Sequence, residues 1–498
     1  MDELKSITAS LFLPNLAYDL EHVLEPAKES MKLASGKSPD RNELLQQRMQ
    51  ATRKALQNLN ATVPKITGNT YGGSSGGARC TQQQRMITTS TCSAVRIAPA
   101  TVHKRQGLCR PRAAFTFVPR AAAATATPVS IPRDDVITSD PANNVTDNIF
   151  EKIGYNLHQQ PSHPIGIITN AINSYFHEKY PNTFTTFDNL QPIVSAKANF
   201  DEVLVPADHV SRSPNDTYYV DANTVLRCHT SAHQAEMLRS GQSAFLVTGD
   251  VYRRDSIDAT HYPVFHQMEG VRVFTEEEWK AAGASDGTAY CEKELKAALE
   301  GLAQHLFGEV EMRWIDAYFP FTDPSFELEI FFKGEWLEVL GCGVMEQAIL
   351  DAAGRPGQRA WAFGLGLERL AMVLFNIPDI RLFWTSDQRF LKQFKAGDLS
   401  TKFKPFSKFP PCYKDMAFWL SESFTENNLC EVVRGVAGDL VEEVKLIDDF
   451  THPKTGKTSN CFRIAYRSME RSLTDDEINK MQEEVRKQVS EKLKVELR

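Results

Sequence analysis

The 498-residue sequence has no run of eighteen apolar residues, which excludes a membrane-spanning helix. Its nine cysteines (Cys80, Cys92, Cys109, Cys228, Cys291, Cys342, Cys412, Cys430 and Cys461) include no CxxC pair. That spacing supports neither a zinc site nor a disulfide framework, and it suits a reducing compartment. No Ser–His–Asp or Cys–His signature is present, so nothing points to a protein nucleophile. The largest gap is in charge: between Glu43 and Asp134 there is not one acidic residue, against thirteen Lys or Arg.

That gap divides a chain whose length suggests two to four domains. The net charge of −7 argues against a protein that coats nucleic acid by bulk electrostatics, yet it is a cancellation. Residues 134–395 hold 21 bases and 37 acids, a net of −16, and residues 396–498 are nearly balanced at −1. Residues 1–66 read as a helical extension with Leu13, Leu16, Leu20 and Val23 on one face. It is either a partner-binding hairpin or unrelated to the rest. Residues 67–133, rich in Gly, Ser, Thr, Ala and Arg, have too few large apolar residues for a core and are expected to be disordered. From Met86 the composition is that of an organellar transit peptide, with an ordinary linker as the other reading. Met86 is then the functional start, or residues 1–85 were joined by an alternative transcript or gene model.

Regular patterning begins at Asp134. Residues 163–179 place Ile165, Ile168, Ala171, Ile172 and Phe176 at helical spacing. Strands at 244–252 and 263–274 flank the charged loop RRDSIDATH. Arg253 at its entrance is either a solvated loop cation or a fork for an anion. On the second strand, period two puts Phe265, Gln267 and Glu269 on one face and His266 and Met268 on the other. A ring, an amide and a carboxylate together suit a polar ligand such as an ammonium. A hairpin (325–332, a Lys333-Gly334 turn, 335–343) groups Trp336, Glu338 and Leu340. Glu338 between apolar neighbours is either a structural ion pair or a magnesium or ligand site. WAFGLGLERLAMVLFNIPDIR (361–381) runs from a strand through Gly364 and Gly366 into a helix that stops before Pro378. It matches neither GxxxxGK[ST] nor GxGxxG, but a glycine-rich helix N-terminus followed by Arg369 favours phosphate.

After a linker at 396–409, residues 410–498 read as β-α-β-β-α-β, the ferredoxin-like order, with a capping box from Thr474 to Glu477. Along 459–468, Phe462, Ile464 and Tyr466 alternate with Arg463 and Arg467, giving one apolar and one basic face. Such a basic face is either plainly solvated or an RNA contact.

VYRRD, then the loop, then FHQMEG resembles motif 2 of the class II aminoacyl-tRNA synthetases. GLGLERL resembles their motif 3, and the segment from His163 falls where motif 1 would. HTSAHQ (229–234), DATHYPVFHQMEG (258–270), YFPFTDPSFE (318–327) and WLEVLGCGVM (336–345) are similar to the single-chain mitochondrial phenylalanine–tRNA ligases. FPP and RSLTDDEIN resemble their terminal anticodon-binding domain. The resemblance runs from about residue 140 to the end.

The resemblance implies an α+β protein: a seven-stranded-type antiparallel catalytic sheet with flanking helices over 134–395, then a ferredoxin-like anticodon-binding domain. It implies ATP bound in bent form with Mg2+, L-phenylalanine and tRNA(Phe) as substrates, a mitochondrial matrix location, no membrane, and a monomer. Carried over residue by residue, Arg253 clamps the α-phosphate and Arg369 the γ-phosphate. Thr260, His261 and Tyr262 lie in the loop that meets ATP and the tRNA end. Phe363, beside Gly364, stacks on adenine, and Glu338 binds magnesium or nucleotide. Ser231, Ala232, His233, Gln234, Gln267, Met268 and Glu269 line the amino-acid site, and Phe319 and Phe321 meet the substrate ring. Arg463, Arg467 and Arg471 contact tRNA. The alternatives are a class II ligase for another amino acid, or a catalytically inactive paralogue acting as an RNA-binding or regulatory protein. Such a paralogue would be expected to lose Arg253, Glu338 or Arg369, and all three are present.

Overall fold

A computed structural model describes residues 131–406 and 409–498; the expected helical extension, the transit-like segment and Met86 lie outside the described residues. Helix α1 (Pro164–Lys179) starts with proline at its first position, where the missing N–H costs nothing, and the His163 side chain accepts the Ile165 N–H at 3.3 Å. Its Ile165, Ile168, Ile172 and Phe176 are fully buried, as their spacing predicts. After β1 (Thr185–Phe187), the short strands β2 (Ile193–Ser195), β3 (Tyr219–Asp221) and β4 (Thr224–Leu226) make a small sheet.

The main sheet is built from β1, β5 (Ala244–Tyr252), β6 (Val264–Phe274), β7 (Glu311–Phe319), β8 (Thr322–Phe332), β9 (Glu335–Met345) and β10 (Arg359–Gly366). Its order is β1-β5-β6-β10-β9-β8-β7, antiparallel except where β1 meets β5. Helix α2 (Gly287–Phe307) lies between β6 and β7 in sequence, and α3 (Leu367–Phe375) follows β10 directly. Together with α1 they bury one face, where Phe176 stacks on Phe363 (5.4 Å, 11°) among leucines of α2 and α3. The other face is packed at one end, by Val247, Val271, Ala362 and Met345 against Leu350, and is open elsewhere. That open face holds the site.

Strand β9 departs from simple alternation in its middle. Leu328 pairs with Leu340 but Glu329 pairs with Glu338, so β9 carries an extra residue there. The bulge separates two residues expected to share a face: Leu340 enters the core at 2% exposure, while the Glu338 side chain is 44% exposed on the open side.

The C-terminal unit has β11 (Cys412–Trp419), α4 (Glu426–Ala437), β12 (Val441–Thr451), β13 (Thr458–Tyr466), α5 (Asp475–Leu493) and β14 (Glu496–Leu497), with sheet order β12-β13-β11-β14. Its core joins Met416, Phe418, Phe462, Ile464 and Tyr466 to α4 and α5, and α5 opens on the Thr474–Glu477 capping box. Helix α4 rests on the loop between β5 and β6. Asn427 Nδ2 donates to the Asn215 and Arg254 carbonyls (3.2 and 3.0 Å), and Tyr218 Oη donates to Glu431 (2.7 Å). Buried Arg381 donates to the Asp439, Val441 and Arg467 carbonyls.

Candidate active site

The open face is centred on β6. Phe265, Gln267 and Glu269 project into a cavity of about 710 Å³, as alternation predicts. On the β10 side the cross-strand neighbours are glycines: Glu269 lies opposite Gly364 and Gln267 opposite Gly366, while Gly364 lies opposite Gly341 and, on β5, Gln267 faces Gly249. Residues without side chains on β9 and β10 leave a flat floor on which a ligand can lie against the backbone.

One wall is the turn from His229 to Gln234. Its Thr230 N–H donates to Gln267 Oε1 at 3.2 Å, and the Ser231 hydroxyl donates to Glu269 Oε2. Glu269 is 2% exposed, and burial pushes its carboxyl up to about 7 against the hydrogen bonds of Ser231, Gln234 and Thr230. Its Oε1 has no partner among the described residues. A buried, half-satisfied carboxylate of this kind calls for a cation or a proton. His229 is held neutral, its pKa lowered to about 3 by burial and by Arg253. The opposite wall carries Phe319 and Phe321, whose rings stack at 5.9 Å and 15°.

At the other end, Arg253 leaves β5 and donates Nε to the Cys228 carbonyl at 2.8 Å, with its guanidinium carbon 5.2 Å from the Phe265 ring centroid. Burial disfavours its charge, so an anion placed there is welcome. Across the floor, Arg369 in the first turn of α3 donates to Glu338 Oε2 at 2.8 Å. Both partners are about half exposed, so the pair is weak and exchangeable. Nearby Glu327 titrates high because of burial and the adjacent carboxylates of Glu338 and Glu329.

Several expected residues fall elsewhere. Met268 is fully buried on the helix-covered face, as its alternation with Gln267 and Glu269 requires, and cannot touch a ligand on the open face. Phe363 pairs with Gly270 on that same covered face, packed on Phe176, so its ring is not available to adenine. Phe265, which lines the cavity, is the aromatic ring on the open side near Arg253. Ala232 and His233 stand behind the wall, and His233 Nε2 accepts from Arg227 at 3.0 Å. Thr260 and His261 are exposed at the mouth, tied to Asp258. Tyr262 reaches the cavity wall, but its hydroxyl donates to Asp439 of the C-terminal unit at 2.6 Å. Of the three arginines expected to contact tRNA, Arg463 pairs with Asp415, Arg467 with Glu442 and Arg471 with Glu477. Arg463 alone stands on the outer face of that sheet, over Tyr413, where Arg498 also lies 4.8 Å from Trp419.

The comparisons agree with this geometry. Residues 150–394 match the family of tRNA synthetases class II core domain (F), and residues 407–498 match the ferredoxin-fold anticodon binding domain. The chain is 68% identical to the chloroplastic/mitochondrial phenylalanine–tRNA ligase of Arabidopsis thaliana, over 74% of this chain and 86% of that one. It is 49% identical to the mitochondrial phenylalanine–tRNA ligase of Mus musculus (74% and 87% covered) and 40% identical to that of Saccharomyces cerevisiae (72% and 93%). A ring pocket ending in a buried carboxylate, two arginines over a glycine floor and a separate ferredoxin-like unit thus coincide with close sequence kinship, and the chain belongs to the class II aminoacyl-tRNA synthetases, in the organellar phenylalanine–tRNA ligase family.

Proposed function

We propose that the chain attaches L-phenylalanine to tRNA(Phe) in the mitochondrion, in two steps that need no protein nucleophile. The observation that carries the reading is the buried carboxylate of Glu269 beside the stacked rings of Phe319 and Phe321. This combination suits an aromatic amino acid held by its ammonium and its ring. In the first step an oxygen of the phenylalanine carboxylate attacks the α-phosphorus of ATP. The bond to the β-phosphate oxygen breaks, and pyrophosphate leaves. Arg253 stands ready to stabilise charge developing on the α-phosphate, and Arg369 to exchange Glu338 for the outer phosphates. Phe265 offers its face to adenine. In the second step the tRNA terminal hydroxyl attacks the acyl carbon and AMP leaves.

The carboxylates of Glu338 and Glu327, oxygen ligands of which Glu327 titrates high through burial and then the repulsion of Glu338, suit Mg2+ arriving with the nucleotide. When bound, that ion neutralises phosphate charge. Among the described residues no cluster of three ligands is preassembled, which fits an ion that enters on its substrate.

For tRNA, Arg463 with Tyr413, and Arg498 over Trp419, are the favoured contacts on the C-terminal sheet; the Arg467 side chain is part-buried and held by Glu442. The chain, 56.0 kDa over its 498 residues, works as a monomer, which light scattering in solution tests. The decisive experiment is amino-acid-dependent ATP–pyrophosphate exchange, followed by charging of mitochondrial tRNA(Phe). Exchange driven by phenylalanine supports the reading. Exchange driven by another amino acid overturns the substrate, and tRNA binding without exchange would make the chain an RNA-binding paralogue.

A further inference from the structure

Directly beneath the site, on the covered face of the sheet, a glutamate–histidine pair is fully buried. Glu368 accepts the backbone N–H of His266 on Oε2 and meets His266 Nδ1 with Oε1, both at 2.7 Å. The two side chains are 3% and 0% exposed. The His266 ring is held between Trp384 (5.7 Å) and His158 (5.4 Å), and its Nε2 has no partner among the described residues.

The backbone explains why a carboxylate stands there. The ladder between β6 and β10 ends at Gln267 opposite Gly366, because the chain turns into α3 at Leu367. His266 is the next residue of β6, and its N–H faces a helix rather than a strand. Glu368 supplies the missing acceptor from its side chain and takes a second bond to the ring of the same residue. Two bonds to one residue fix both the distance and the roll of the first turn of α3 against β6. The next residue along α3 is Arg369, at the phosphate end of the site. The next residue along β6 is Gln267, whose Oε1 holds the amino-acid wall through Thr230. A buried acid–imidazole pair is not a cheap way to stabilise a core, since desolvation offsets most of its attraction.

We infer that Glu368 is a positioning residue: through His266 it holds Arg369 in register with the amino-acid half of the site, so that ATP is gripped where phenylalanine waits. The inference rests on the proposed role of Arg369 with the outer phosphates. The test is ATP–pyrophosphate exchange by the full chain, varying each substrate with the other saturating. Glu368→Gln keeps the shape but cannot accept at both oxygens. It is expected to raise the KM for ATP about 10-fold or more while leaving that for phenylalanine within about 2-fold. Combined with Arg369→Ala it should add little to the ATP defect of Arg369→Ala alone, because both changes remove the same grip. His266→Asn, which keeps a donor near Nδ1, should stay within about 3-fold of the wild type, and His266→Gln, which does not, should resemble Glu368→Gln.

An unchanged KM for ATP, equal rises for both substrates, or losses that multiply with Arg369→Ala would each overturn the inference. So would an Arg369→Ala variant with normal ATP dependence. If Glu368→Gln does not fold, the two His266 variants decide: equal impairment of both overturns it. Failure of the wild-type chain to exchange with phenylalanine would instead remove the proposed function, so the two failures are distinguishable.

Discussion

Gly341 of β9 lies directly under the ring of Phe319: a Cβ at position 341 would come within 2.7 Å of Phe319 Cζ. The atom met is the far end of a side chain that borders an open cavity, so the ring can yield. Gly341→Ala should therefore tip Phe319 into the amino-acid pocket. We expect the KM for phenylalanine in pyrophosphate exchange to rise about 10-fold, with the KM for ATP unchanged. Stability should fall by less than about 1 kcal/mol, because the overpacking is relieved into empty space. A loss of thermal stability with unchanged substrate constants would contradict the placement of the ring.

Gly249 of β5 faces the same cavity side but offers no such escape. A Cβ there would stand 2.0 Å from the Arg227 guanidinium, which is 1% exposed and paired with Asp250 at 2.7 Å. Arg227 is further fixed by the Asp250 and Leu190 carbonyls and by His233. Displacing it leaves a buried carboxylate without its partner, at a cost of about 3–5 kcal/mol. Gly249→Ala is expected to lower the thermal midpoint sharply and to yield little soluble protein, the reverse of the pattern at Gly341. Calorimetry on both variants checks the contrast.

Much of the site was legible in the sequence because β6 alternates regularly: Phe265, Gln267 and Glu269 read as one face, and they are one face. The Thr474–Glu477 capping box and the β-α-β-β-α-β order were legible for the same reason, since they depend on local hydrogen bonding and period alone. The misplacements have two physical sources. The family resemblance places Phe363 and Met268 among ligand residues, whereas period two, counted from Gly364 and Glu269, sends both to the core. Glu338 and Leu340 read as one face and are not, because a bulge between paired strands leaves no mark in either strand alone. Glu368 stands out in the sequence only as part of GLGLERL: its task follows from where the β6–β10 ladder stops, which is a property of the pairing.

Arg253 should be costly to the folded state and indispensable to the reaction. Burial lowers its pKa, and among the described residues its only side-chain hydrogen bond is from Nε to the Cys228 carbonyl. Arg253→Ala is expected to slow adenylate formation about 10²–10³-fold. Arg253→Lys should recover little, because a lysine cannot reproduce the planar fork. Removing a poorly compensated cation should leave the thermal midpoint unchanged or slightly higher. Near-normal pyrophosphate exchange in the alanine variant would refute the phosphate role.

Glu269 sets a pH dependence whose sign can be worked out. In the ligand-free fold its pKa is pushed up to about 7 by burial, against an ordinary value of 4.5. Between those values the folded protein holds a proton that the unfolded chain has released, so this group's contribution to stability falls as pH rises from 4.5 to 7 and is level above. The phenylalanine ammonium requires the carboxylate, so below pH 7 binding must expel that proton. The KM for phenylalanine is expected to fall as pH rises toward 7 and then to flatten, and Glu269→Gln should abolish the slope together with most of the affinity. At pH 8 the same variant should be more stable than the wild type without ligand, by up to roughly 3 kcal/mol. Buried His158, His163, His229 and His233, with pKa values lowered to about 4, 3, 3 and 3, destabilise the fold as pH falls below 6.5 in both proteins alike. The readout is therefore the difference between variant and wild type at each pH, from denaturant melts beside the kinetic profile. A difference that does not grow between pH 5 and 7 would mean that Glu269 is already ionised in the empty site, and that the ammonium does not displace a proton when it binds.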